Sequence, residues 1–289
     1  MKVNAYGSLV LLVASVAACV DAAGGSGQLR VVLAAEETID DGLKAGPDPE
    51  DTKDFGVTYT KYLAVLGAVK VARTAPARAL ATTGVFIADM RQVGQQGVPL
   101  ATFDHVQAGQ WDQFGFATPA ALPGYQTLAG ATDADAQLMI EKQWTYWIEG
   151  TVNRPGKPVS FVLQLAVPTV YTDCESNGQP GVSVSEGGVS TATITLHGDH
   201  LWFDSLVAGY ESTVVRRTQW LVDADTDGDG KVVTEDLAKL PAETAFPSSK
   251  GYNLSGGAIP IANALDFVRA QLATQGHFNG EGACQPQLL

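Results

Sequence analysis

Trp144-Thr-Tyr-Trp-Ile-Glu149, Arg154-Pro-Gly-Lys157 and Val159-Ser-Phe-Val-Leu-Gln-Leu-Ala166 follow one another in the middle of the chain. The outer two runs are rich in aromatic and β-branched residues and alternate in strand fashion. The Pro-Gly between them is turn chemistry, so the three together read as a β-hairpin. Working outward, Leu29–Ala34, Gly56–Leu63, Val65–Val71, Gly84–Ala88 and Val189–Leu196 carry the same pattern, and His105–Phe116 reads as strand, Ala-Gly turn, strand. Short strands parted by glycine and proline predict a mainly β fold, an antiparallel β-sandwich.

The last third of the chain changes character. Ser212–Val222 reads as a helix, and Glu235-Asp-Leu-Ala-Lys-Leu240 as a short helix stopped by Pro241. Ile261, Leu265, Val268 and Leu272 make a helical stripe within Pro260–Gln275, with Gly276 behind it. The expected organisation is a β-sandwich body over 29–211, followed by a helical portion over 212–289 packed on it.

Between the first two of these helices lies Asp225-Thr-Asp-Gly-Asp-Gly-Lys-Val-Val-Thr-Glu-Asp236. Carboxylates occupy the first, third, fifth and twelfth places, glycine the sixth and an apolar residue the eighth, the spacing by which a loop wraps a hard cation in oxygen. The stretch resembles the EF-hand family, more closely its dockerin-type variant. That resemblance implies a calcium site with side-chain ligands Asp225, Asp227, Asp229 and Asp236 and the carbonyl of Lys231. Val233 departs from the pattern at a place that is usually polar, and Asp236 is shorter than the usual glutamate. A single loop suits a structural calcium ion better than a signalling pair, and an extracellular site with a dissociation constant on the order of 0.1–1 mM would be filled. An acidic surface turn is the alternative.

The N-terminus bears on location. Lys2 precedes the short apolar run Ser8–Ser15, which ends in Val16-Ala-Ala-Cys19. This resembles the lipobox of bacterial lipoproteins, which implies a signal peptide over 1–18, lipidation of Cys19, and a cell-envelope protein anchored in the membrane through that lipid. In such lipoproteins, a residue other than aspartate directly after the cysteine, here Val20, implies export onward to the outer membrane, periplasmic or surface-exposed. An ordinary signal peptide cut at an Ala-x-Ala-like site is the alternative. Val20–Gln28 is glycine-rich, and residues 19–28 read as a flexible tether. The net charge is −13, and removal of residues 1–18 takes away one more lysine. Such a chain lacks the basic footprint that nucleic acid requires. With Cys19 lipidated, Cys174 and Cys284 remain as an even pair in an oxidising compartment, for which a disulfide is the default expectation. No protein partner can be named from the residues.

Thr195-Leu-His-Gly-Asp-His-Leu-Trp-Phe-Asp204 follows a strand and holds two of the four histidines. A break at Gly198 would bring His197 and His200 into one pocket with Asp199, and His277, near Cys284, is a third candidate. Imidazole with carboxylate suits zinc or copper. Hydrogen-bonded turn histidines are the alternative, and Asp104-His105 is a weaker candidate. From Glu36-Glu37 through Trp147-Ile-Glu-Gly150, His197-Gly-Asp-His200 and Gly276–Gly282, the chain resembles a set of uncharacterised secreted bacterial lipoproteins, which implies no activity. The layout of Trp144–Gly150 is also similar to copper-binding periplasmic proteins associated with methanobactin operons.

No nucleophile elbow, zinc-protease helix, phosphate loop or dinucleotide fingerprint is present. The acid pairs Glu36-Glu37 and Asp40-Asp41 read as solvated surface groups. The leading expectation is therefore a non-enzymatic, calcium-binding, lipid-anchored envelope protein. A copper- or zinc-binding protein using His197 and His200 comes second and an envelope hydrolase third.

Overall fold

A computed structural model describes residues 24–207 and 213–289. Cys19 and the signal peptide lie outside the described residues. The protein is mainly β, with 43% strand and 20% helix. One sheet runs β17 (Gly276–Phe278), β15 (Val189–Leu196), β1 (Ser26–Ala35), β5 (Val98–Gln107). The larger sheet runs β16 (Lys231–Val233), β10 (Val159–Leu165), β9 (Tyr146–Val152), β2 (Val57–Arg73), β7 (Gln113–Thr118), β11 (Thr169–Thr172), β18 (Gln285–Leu288). Off that path, β3 (Arg78–Ala81) and β4 (Val85–Asp89) pair with β2, and β8 (Gln126–Leu128) pairs with β4. Two small ribbons join β12 (Glu175–Ser176) to β13 (Gln179–Pro180) and β6 (Gly109–Trp111) to β14 (Val182–Val184).

The sheets share one core, as a sandwich does. Leu29, Val31 and Leu33 of β1 and Ala192, Ile194 and Leu196 of β15 pack with Tyr62, Phe114, Ile148 and Phe161 of the larger sheet. The expected hairpin is β9–β10, with Ile148 opposite Leu163 and Gly150 opposite Phe161. Glycine is required at 150, because a Cβ there would stand 2.5 Å from the Phe161 ring.

Several expectations are corrected. The two runs expected over Gly56–Leu63 and Val65–Val71 form one strand, β2, whose middle is buried on both faces. Leu63 and Val65 face a second cluster with Met139 of α3 (Asp133–Lys142), while Tyr62, Ala64 and Leu66 face the main core. No break falls at Ala64, which pairs in register with Ala88 and Tyr146; the irregularity lies further on, a bulge at Gly67 and Ala68, both at positive φ. Strand β1 starts at Ser26, so the tether expected over 19–28 is strand in its last residues. The sandwich is not purely antiparallel. Among the described residues β1/β15, β4/β8 and β10/β16 run parallel.

The C-terminal portion expected to pack on the body is woven into it instead, since 212–289 supplies β16, β17 and β18 to both sheets. Its helices are α4 (Gln219–Ala224), α5 (Thr234–Lys239), α6 (Ala242–Ala245) and α7 (Ala264–Leu272). Ser212–Val222 is not a helix throughout. Arg216 bridges Thr52 and Phe203 as extended chain, and Thr218 is held by Asp54 and Phe55, so the helix starts only at Gln219. Helix α7 is shorter than its apolar stripe because Asn263 caps it, accepting from the Asp266 amide at 3.0 Å. The remaining helices are α1 (Glu37–Asp41) and α2 (Met90–Val93). No helix among the described residues is long and apolar enough to cross a membrane.

Candidate metal centre

Strands β1 and β15 run parallel and end together, with Ala35 beside Leu196. The next residue of each chain is therefore the next in register, which sets Glu36 beside His197. The Glu36 amide donates to the Leu196 carbonyl at 3.0 Å. The chain then folds into a 3-10 turn, Asp199–Trp202, that carries Asp199 and His200. Only glycine fits at 198, where a Cβ would stand 2.6 Å from Ile39. Tyr59 donates to the Gly198 carbonyl at 2.8 Å and accepts from the Trp202 indole at 2.7 Å, fixing the turn. Antiparallel to β15, β17 places His277 opposite Thr195.

The three histidines meet. His197, His200 and His277 are 4%, 4% and 8% exposed, and each offers a nitrogen within 4.8 Å of the others. The hydrogen bonds decide which nitrogens carry protons. The hydroxyl of Thr274 donates to the Gln271 carbonyl at 2.8 Å, so its oxygen accepts from His200 Nδ1–H, also at 2.8 Å. His200 Nε2 then holds a lone pair. It accepts from His277 Nε2–H at 3.1 Å. His197 Nε2–H donates to the Gly280 carbonyl at 3.2 Å, leaving the lone pair on Nδ1. Burial first, then the neighbouring imidazoles His277 and His197, hold His200 well below the usual histidine value, and burial lowers His197 as well. Neutral, oriented imidazoles are the form that binds a metal ion.

A carboxylate pair adjoins them. Glu36, His197 and Asp199 also bring ligand atoms within 4.8 Å of one another. Asp199 is 3% exposed. Its Oδ2 takes both Nε and Nη2 of Arg216, while Oδ1 is buried without a hydrogen-bond partner. Burial, followed by the charge of Asp199, pushes the Glu36 carboxyl up to about 8, and the Thr38 hydroxyl donates to it. The acid read as a solvated surface group is thus part of the site. Histidines and carboxylates together line a cavity of about 1360 Å³, with Arg216 and Glu281. His105 is exposed on β5 and joins no cluster among the described residues. Asp204 accepts from Arg217 and the Val215 amide instead. Arg216 and Thr274 were not legible as site residues. Each works through a partner far away in sequence.

The acidic loop forms between α4 and α5. Asp225, Asp227 and Asp229 bring oxygens within 4.8 Å of one another. Gly228 and Gly230 adopt φ of 74° and 82°, and Val232 is buried and paired with Phe161. The Asp225 carboxylate accepts from the Gly230 amide at 3.2 Å, and Lys157 Nζ stands 3.6 Å from it. Lys231 donates its amide to Asp229 at 2.7 Å. Asp236 lies outside the three-acid group. Its carboxylate accepts from Lys239 at 2.9 Å and from the Val233 amide at 3.0 Å, and these bonds hold it below the usual carboxylate range. Cys174 and Cys284 form a disulfide.

Fold and site together define a mainly β protein with a buried histidine cluster open to a cavity. Comparison of the chain with family models, with curated proteins and with solved structures gives no match in any of the three.

Proposed function

We propose that this protein binds a transition-metal ion, zinc or copper, through His197, His200 and His277. The observation that carries the reading is the convergence of three buried imidazoles on one point. The 3.1 Å between His200 Nε2 and His277 Nε2 is near the edge of a tetrahedron around zinc, roughly 3.3 Å for metal–nitrogen bonds of about 2.0–2.1 Å. A metal ion there replaces the hydrogen between the two nitrogens. Three protein ligands beside a cavity leave a coordination position for water or a ligand. Packing alone is a poor reason to bury three imidazoles together, because each loses its hydration. On this reading the protein handles metal in the bacterial envelope, held to the outer membrane through Cys19. The layout shared with copper-binding periplasmic proteins keeps copper beside zinc.

Calcium in the loop is a second reading, favoured by the three converging carboxylates Asp225, Asp227 and Asp229. Its role would be structural, since β16 ties the loop to β10. One experiment separates the sites: thermal unfolding in chelator, then with zinc, copper or calcium added singly. Zinc or copper should raise the melting temperature of the wild type, and the rise should be clearly smaller in the His200→Ala/His277→Ala variant. The calcium response should vanish in Asp225→Ala/Asp229→Ala alone. A zinc or copper response undiminished by loss of both histidines would end the first reading.

A further inference from the structure

We infer that Glu36 and Asp199 form a second divalent-cation site beside the histidines, so that the cavity holds two ions. The inference rests on the histidine reading and extends it.

Two observations carry it independently. The first is the grouping: Glu36 and Asp199 each reach within 4.8 Å of His197, which also belongs to the histidine group. The second is Asp199 Oδ1, a carboxylate oxygen buried without a hydrogen-bond partner in a residue only 3% exposed. Arg216 serves Oδ2 of the same carboxylate and makes its other described side-chain bond to the Pro49 carbonyl. Around this point stand Glu36, Asp199 and Glu281, with Arg216 as the cation set against them. A buried carboxylate oxygen with no partner of its own is unfavourable unless a proton or a cation meets it. Two carboxylates from neighbouring strand ends, opening on a roomy cavity, offer oxygen ligands on one side and space for water on the other.

The ligands differ between the two positions. His197 Nε2–H is committed to the Gly280 carbonyl, so its single lone pair, on Nδ1, completes the histidine set. The second ion is then held by oxygen, from Glu36, Asp199 and water. Oxygen ligands select a harder ion than three imidazoles do, and manganese and magnesium fit such a set. Zinc fits both positions and is the practical probe.

The test is the zinc content of the full chain, stripped with chelator, reloaded and freed of excess ion. Acidic-loop binding is common to every variant, so the readout is the difference from wild type. Glu36→Gln/Asp199→Asn should carry one zinc fewer per chain, and His200→Ala/His277→Ala should also lose an ion. Glu36→Gln alone keeps the side-chain volume and leaves the Asp199–Arg216 pair intact. It should weaken the second ion at least tenfold even if the double variant fails to fold. Wild-type zinc content in both Glu36 variants, with an ion lost only from the histidine variant, would overturn the second site and leave the first standing. No difference in any variant would overturn both.

Discussion

Thr274 does not line the cavity, yet it decides which nitrogen His200 would offer to a metal ion. Its hydroxyl proton is spent on Gln271, so its oxygen can only accept, and His200 must present Nδ1–H to it. That fixes both the tautomer and the ring plane and leaves the Nε2 lone pair facing His277, the position the proposed metal would take. Outer partners of this kind are worth about 10–100-fold in metal affinity. Thr274→Val keeps the shape and removes the acceptor. Zinc affinity, measured by competition with a chromophoric chelator, should fall by about that factor, and Thr274→Ser should restore it. An unchanged affinity in the valine variant would show that packing alone orients His200.

At the scale of elements, the segment after β17 is held at both ends. Gly280 accepts from His197, and Cys284 is bonded to Cys174 across a separation of 110 residues. A cross-link closing so long a loop removes unfolded-state entropy equivalent to about 5 kcal/mol. Cys174→Ala/Cys284→Ala should lower the urea midpoint accordingly, and zinc binding should weaken with it because Gly280 loses its anchor. A midpoint unchanged within error would show that β18, paired with β11, holds this segment alone. The same elements show what the sequence could reveal. The hairpin β9–β10 was readable because its residues are close in the chain and alternate. The three histidines were readable as candidates because His197 and His200 flank a glycine just past a strand. Glu36 was not, since it reaches His197 only through the parallel pairing of β1 with β15, which local alternation does not encode. Likewise β16, β17 and β18 are too short to show a period, and long-range pairing alone makes them strands. Of the run Ser212–Val222, Gln219–Val222 does turn into helix, but Asp199 and Asp54 bind Arg216 and Thr218 and keep the residues just before it out of the helix.

For the whole molecule, buried titratable groups set the pH range of stability, and their signs can be worked out. Tyr62, Tyr146 and Tyr171 are fully buried, and burial is the first cause of the upward shift of each, Tyr146 to about 12. Unfolded, they titrate near 10. The folded state therefore holds protons that the unfolded state gives up, so their contribution is complete below about pH 10 and is lost as the pH rises through the folded values. His197 and His200 shift the other way, lowered chiefly by burial. In the metal-free protein the unfolded state takes up protons first, so their contribution is complete above about pH 6.5 and falls as the solution is acidified. Glu36, pushed up to about 8 by burial and by Asp199, acts against the histidines: its contribution is complete below its unfolded value and is lost as the pH rises through about 8. Denaturant unfolding of the metal-free chain across pH should thus be flat only between about 8 and 10, with the tyrosine loss above that range and the histidine loss below about 6.5. His200→Gln should soften the acid limb and leave the alkaline limb in place, because the two limbs belong to different layers of the molecule. An acid limb identical in that variant would assign the decline to the carboxylates. A plateau ending well below pH 10 would mean that the tyrosines do not set the alkaline edge.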